Sequence, residues 1–226
     1  MIEACFENLS HALRLYGEHI FRFKELMTVD RDEAVGNLDL GFNGIINAFH
    51  SLYDANRKSN GLNWYRYDEF LVIAIIRNAR HHNNANKIRQ LFNLHRPELE
   101  KTERLLLIQP EPGEEDGFCS EYYINLADLE GLLLQPKSKN KLPANTKQRV
   151  HNYLNWDKIQ EITKDQDIDF NNVFYNAIPL VINAGIVVFP DIKKEISGKS
   201  TESCVFKSLF EHNQPFKLDS LSFDIT

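Results

Sequence analysis

Between Arg77 and Lys87 the chain reads RNARHHNNANK. Arg77, Asn78, Arg80, His81 and His82 are crowded together there with only Ala79 among them. An imidazole titrates near neutral pH and can take or give a proton. A guanidinium binds phosphate in bidentate fashion and stabilises charge that builds on it. Together these groups suit cleavage of RNA, in which a base removes the 2′-hydroxyl proton and the freed oxygen attacks the adjacent phosphate. That chemistry calls for no metal and no cofactor. On a helix each residue advances by about 100°, so Arg77 stands one turn from His81 and Asn78 one turn from His82. Spacing alone keeps both imidazoles as candidates. Lys87 and Arg89 follow closely and offer either phosphate contacts or a solvated helix face. The competing structural reading is a polar helix C-terminus, where cations are favoured by the macrodipole and Asn83-Asn84 supplies the cap.

These groups need a rigid helix behind them. Asp68 is placed to cap one, and Phe70, Leu71, Ile73, Ala74, Ile75 and Ile76 make it apolar on nearly every side. A helix of that kind sits inside a bundle or at an interface between copies. Before it, Phe6, Leu9, Leu13, Tyr16, Ile20, Phe23 and Met27 recur at steps of three and four and predict an amphipathic helix over 2–27. Residues 30–39 read as a polar link with a turn at Gly36-Asn37. Leu38, Phe42, Ile45, Ile46, Phe49, Leu52 and Tyr53 predict a second helix over 38–57, with Gly41 and Gly44 allowing close helix approach. NRKSNGLN at 56–63 is a loop, and a fourth helix is expected from Ala85 to Leu94.

From Arg104 the pattern changes. RLLLIQ and FCSEYYINL are candidate strands, the second alternating Tyr122, Ile124 and Leu126, and they read together as a β-hairpin around the acidic loop PEPGEEDG. LADLEGLLL is a short helix stopped by Pro136. Val150, Tyr153, Leu154, Ile159 and Ile162 predict another helix starting at Asn145 or Thr146. VFYNAIPLVINAGIVVF reads as a core helix kinked at Pro179. Phe206, Leu209 and Phe210 mark one small packed element, and the last residues are expected to lie extended on the surface or to fray. The expected fold class is mainly α: an antiparallel helical bundle spanning 1–226 as one domain, with a β-hairpin-containing insertion over 103–142 and a C-terminal extension over 191–226.

Composition narrows the function. An apolar content of 42% supports a sizeable core. A net charge of −6 argues against nucleic-acid binding through the whole surface but leaves room for a local basic site. Cys5, Cys119 and Cys204 are distant and odd in number, which points to reduced thiols in a cytoplasmic protein rather than a disulfide framework or a zinc site. Charges interrupt the first twenty residues, so no signal peptide is expected, and no membrane partner. Glu114-Glu115-Asp116 reads as a solvated loop, and Trp64, Tyr65 and Tyr67 as packing residues more than a base-stacking platform.

Arg77-Asn78 followed by His82 at the end of an apolar helix resembles the HEPN superfamily, whose members carry an R-x4-6-H motif, commonly with Asn, Asp or His directly after the Arg. Arg14…His19 and Arg89…His95 share the spacing, but Leu15 and Gln90 stand after their arginines. The resemblance covers about the first hundred residues. It implies a helical bundle that forms a homodimer, with two motifs meeting in a cleft. It implies a metal-independent ribonuclease of toxin–antitoxin, phage-defence or RNA-processing systems, acting on RNA and paired with a cognate antitoxin. A non-catalytic module binding nucleotide, RNA or a partner protein is the alternative within the same superfamily. By the resemblance Arg77 and His82 are catalytic and Asn78 positions them; His81 lies one residue too close to Arg77 for the family spacing. Arg80, His81 and Lys87 stand as candidate substrate contacts.

Overall fold

The computed structural model describes residues 1–81, 90–91, 104–110, 121–134, 143, 145–218 and 221–225, and for 80–81 and 221–225 the backbone. Its elements in chain order are α1 (Ile2–Val29), α2 (Arg31–Asn60), α3 (Asp68–His81), β1 (Leu106–Pro110), β2 (Tyr123–Asn125), α4 (Leu126–Leu133), α5 (Thr146–Tyr153), α6 (Trp156–Asp165), β3 (Val173–Asn176), α7 (Ala177–Val188), α8 (Thr201–His212) and β4 (Leu221–Ile225). The described residues are mainly helical, with a small sheet of four strands among them. The chain divides into two compact units, residues 1–77 with 181–215 and residues 78–180 with 216–226.

In the first unit α1 and α2 form a helical hairpin joined by Asp30 alone. The Asp30 N–H donates to the Leu26 carbonyl at 2.7 Å, closing α1. Its carboxylate accepts from the Glu33 N–H at 2.9 Å, opening α2. One residue thus serves as C-cap and N-cap, and Asp32 and Glu33 complement the positive end of α2. The polar link expected over 30–39 is therefore helix: its charges cap and solvate α2 instead of interrupting it. Likewise α2 runs on to Asn60 and stops where Gly61 takes a left-handed φ of 68°.

The hairpin is zipped by Ile2, Phe6, Leu9, Leu13 and Tyr16 against α2 residues such as Leu38, Phe42, Ile45 and Phe49, all buried. A side chain at Gly41 would come within 3.1 Å of the Tyr16 ring and 3.2 Å of His19, so this glycine does permit close approach. Gly44 faces open space instead.

Phe49, Tyr53, Trp64, Tyr65 and Phe70 then form an aromatic cluster that seats the start of α3; Tyr53 and Phe70 lie 5.1 Å apart and Trp64 and Phe70 5.5 Å. Trp64 is fully buried, and its indole N–H donates to Asp191 at 3.0 Å. That carboxylate also accepts from Arg66 at 3.0 Å, fixing the segment after α7 beneath the α2–α3 turn. Helix α8 packs on α1, with Phe6 6.3 Å from Phe210. A reciprocal Ser200–Ser203 capping box starts α8.

The second unit holds the sheet, in the order β2-β3-β1-β4. Strand β1 runs parallel to β3, with Leu106 opposite Val173, and β2 runs antiparallel to β3, with Ile124 opposite Tyr175. The expected hairpin of the first two strands is not formed, because β3 lies between them. Alternation reveals which side of a strand is buried, not which strand it pairs with. Even the alternation fails in β2, where Tyr123, Ile124 and Asn125 are all buried and Leu126 already belongs to α4.

The VFYN segment is strand rather than helix. A short apolar run has no periodicity to separate the two, and Asn176 decides the boundary. Its side-chain oxygen accepts from the Tyr122 and Ile178 N–H groups, both at 3.1 Å, ending β3 and capping α7. Pro179 then falls in the first turn of α7, where its missing N–H costs little, so no kink is required. The helix expected from residue 145 onward is two helices, α5 and α6, broken where Asn155 adopts a φ of 59°. The C-terminal residues 221–225 are extended as β4, paired antiparallel with β1 rather than frayed.

Candidate functional site

The site is built on α3. Asp68 and Glu69 occupy its first turn. From Phe70 to Ile76 every residue is buried, so the helix is gripped on all sides. A helix held that way cannot roll, and the groups that follow inherit a fixed direction. Arg77 and Asn78 are half-buried, and Ala79 is buried again at 4% exposure. The polar pair therefore emerges from a helix that remains packed one residue further on. The backbone of Arg80 and His81 completes the last turn of α3. His82 and Lys87 lie outside the described residues, as do the expected fourth helix apart from Gln90 and Leu91, the acidic run 114–116 and Cys119.

Arg77 reaches across to α2, where its Nε–H donates to the side-chain oxygen of Asn47 at 3.4 Å. Asn47 is an exposed residue on the polar face of α2. Nothing in the sequence marks it, since an isolated Asn on such a face carries no pattern. Its neighbours on that face are polar too. Asn43 donates to Asp39 at 3.4 Å, and His50 Nε2 lies 3.8 Å from an Asp54 carboxylate oxygen, an ion pair when the imidazole is protonated. The Arg77 guanidinium thus meets α2 at Asn47, one turn from Asn43 and from His50 along that helix.

No protein-family model, no curated protein and no solved structure matches the chain.

Alternative sites are weaker on geometry. Arg14, which shares the Arg-to-His spacing with His19, is engaged in ion pairs with Glu18 and, at 3.2 Å, with Glu202. Trp64 is buried, and Tyr65 meets Tyr53 edge-on at 5.4 Å, so these rings serve packing rather than base stacking. The Tyr67 hydroxyl lies 3.4 Å from Asp191.

In the second unit Glu130 accepts from Lys147 and from His151, each at 2.7 Å, and His151 stacks on Trp156 with centroids 4.4 Å apart. Burial acts to raise the Glu130 pKa, but the hydrogen bonds from Lys147 and His151, with the attraction of those side chains, outweigh it and hold the carboxyl below its ordinary value. This cluster ties α4 to α5 and α6. A cavity of about 270 Å³ opens at the α1–α2 turn, lined by residues including His19, Arg22, Glu25 and Glu33. Asn37, on its rim, is roughly 15 Å along the α2 axis from Asn47, so this cavity is separate from the Arg77 contact. Among the described residues no three His, Cys, Asp or Glu side chains are grouped to hold a metal ion, and no helix is long and apolar enough to cross a membrane.

Proposed function

We propose that the protein is a metal-independent endoribonuclease of HEPN type, with Arg77 and His82 as its catalytic pair. The observation that carries this reading is a helix buried on all sides that ends by presenting Arg77 and Asn78, with the Arg77 guanidinium held from a second helix. A preorganised cation at a fixed point is what stabilisation of a phosphorane-like transition state requires.

In the reaction His82 takes the 2′-hydroxyl proton of RNA as general base. The 2′-oxygen forms a bond to phosphorus while the bond from phosphorus to the 5′-oxygen breaks, and that leaving oxygen gains a proton. The products carry a 2′,3′-cyclic phosphate and a 5′-hydroxyl. Arg77 neutralises charge on the non-bridging oxygens, Asn78 keeps the pair in register, and Arg80, His81 and Lys87 add contacts to the RNA backbone. A homodimer brings two motifs together and concentrates these cations locally, which reconciles an anionic substrate with a net charge of −6. A toxin or phage-defence role, restrained by an antitoxin protein, is the biological setting in which such an activity would be kept.

The test is cleavage of total RNA and tRNA in EDTA by the wild type, Arg77→Ala and His82→Ala. The expected result is cyclic-phosphate ends from the wild type, with activity reduced at least a hundredfold in both variants. A folded wild type that binds RNA without cutting it would replace this reading with the non-catalytic binding module.

A further inference from the structure

We infer that Asn47 of α2 is a positioning residue for the Arg77 guanidinium. The inference rests on the ribonuclease reading of the site and adds to it a residue from a different helix. An arginine side chain has several rotatable bonds, and holding it in one geometry costs conformational entropy. A catalytic arginine left loose would bear that cost in every turnover.

The structure removes part of it beforehand. The Nε–H of Arg77 donates to Asn47 Oδ1 at 3.4 Å, and Asn47 stands on a helix anchored by the buried Ile45, Ile46 and Phe49 beside it. Engaging Nε sets the plane of the guanidinium, because its three nitrogens are coplanar. The forked edge that recognises phosphate then points in a direction fixed by α2 and α3 jointly, not by the stem alone. The donor–acceptor chemistry admits one arrangement of the amide. A guanidinium has no acceptor, so Asn47 presents its oxygen to Arg77 and turns its Nδ2 donor the other way. Hydrophobic burial does not require this residue, since Asn47 is exposed.

The experiment measures kcat and KM for RNA cleavage in EDTA, together with the melting temperature, for the wild type, Asn47→Ala and Asn43→Ala. Asn43 lies one turn away on the same face and serves as the control. A positioning role gives a kcat about tenfold lower for Asn47→Ala, with KM and melting temperature unchanged and Asn43→Ala like the wild type. Unchanged kcat would overturn the inference, as would a raised KM at constant kcat, which marks a direct RNA contact. A lowered melting temperature that accounts for the lost activity would overturn it too. An inactive wild type overturns the ribonuclease reading and takes this inference with it; an active wild type indifferent to Asn47→Ala sinks the inference alone.

Discussion

The first 77 residues and the sheet-bearing unit solve the same problem by opposite means. In the former, α1 and α2 bury their stripes against each other across one linking residue, so the packed elements are consecutive in the chain. In the latter, β1 pairs with β3 more than sixty residues later and with β4 at the far end of the chain. Local helical packing produces long elements such as α1 and α2, and in α3 a run buried from Phe70 to Ile76 that leads directly to Arg77. Non-local strand pairing produces short elements defined by their partners. It also places more reliance on individual buried polar groups, since each strand end must satisfy its own hydrogen bonds.

The comparison predicts where each unit breaks. In the first it is the aromatic cluster. Trp64→Ala removes a fully buried indole packed on Phe49, Tyr53 and Phe70 and leaves the Asp191 carboxylate without that donor. The expected cost is about 3–5 kcal/mol, read by urea denaturation followed through helical circular dichroism. The chain has two tryptophans, so Trp156 becomes the sole tryptophan in this variant and, excited selectively at about 295 nm, reports on the second unit. A Trp156 transition that keeps its wild-type midpoint while the helical signal moves would show that the units unfold separately. Coincident transitions would show that the contrast between them is one of construction and not of stability.

The second unit should break at Asn176. Its side-chain oxygen accepts from two backbone N–H groups, of Tyr122 and Ile178, in a site exposed by only 2%. Asn176→Leu keeps the branched shape and the number of side-chain heavy atoms and strands both donors. The expected loss is about 2–3 kcal/mol, seen as an earlier Trp156 fluorescence transition in urea when Asn176→Leu is compared with Asn176 in the Trp64→Ala background. A change below about 0.5 kcal/mol would mean that water replaces the amide, and that β3 and α7 do not need it as a joint.

The same contrast governs how much was legible in the sequence. Phe6-Leu9-Leu13-Tyr16 and Phe42-Ile45-Phe49 declare a helix because the period of 3.6 is written into consecutive residues. The apolar run before Arg77 declares a buried helix for the same reason. What the pattern lacked was the role of Asp30, because a lone Asp among polar residues looks like a loop until its two backbone partners are known. Partner-defined features were out of reach altogether. Leu106–Pro110 and Tyr123–Asn125 gave no sign that Val173–Asn176 lies between them. At the candidate site, the place of Arg77 and Asn78 on α3, just after its buried run, was readable from the sequence. The contribution of Asn47 was not, because it depends on how two helices face each other thirty residues apart.

One contact in the first unit follows the rule of the second, and it supplies the smallest and most specific effect. Glu3 and Glu7, one turn apart on α1, hold the segment that leads into α8. The Glu3 carboxylate accepts from the Ser197 N–H at 2.9 Å and the Gly198 N–H at 3.2 Å, and Glu7 accepts from the Lys199 N–H at 3.0 Å. Burial works to raise the Glu7 pKa. Hydrogen bonds from the Ser200 and Ser203 hydroxyls and the Lys199 and Ser200 N–H groups outweigh it and bring the carboxyl down from 4.5 to about 2. A carboxyl depressed on folding stabilises the native state above its ordinary pKa and loses that stabilisation as the pH falls toward the folded value. The Glu7 contribution is therefore whole at neutral pH and fades between pH 4.5 and about 2. Glu7→Gln should lower stability at pH 7 by about 1 kcal/mol once solvent screening of a partly exposed carboxylate is counted. It should also flatten the decline in melting temperature across that acid window. Melting curves taken from pH 7 to pH 2 check both, and a variant that keeps the full acid dependence would move the titration to other carboxyls. In that case the α1–α8 contact would rest on the apolar packing of Phe6 against Phe210, and the first unit would be uniform in kind with its own helical hairpin.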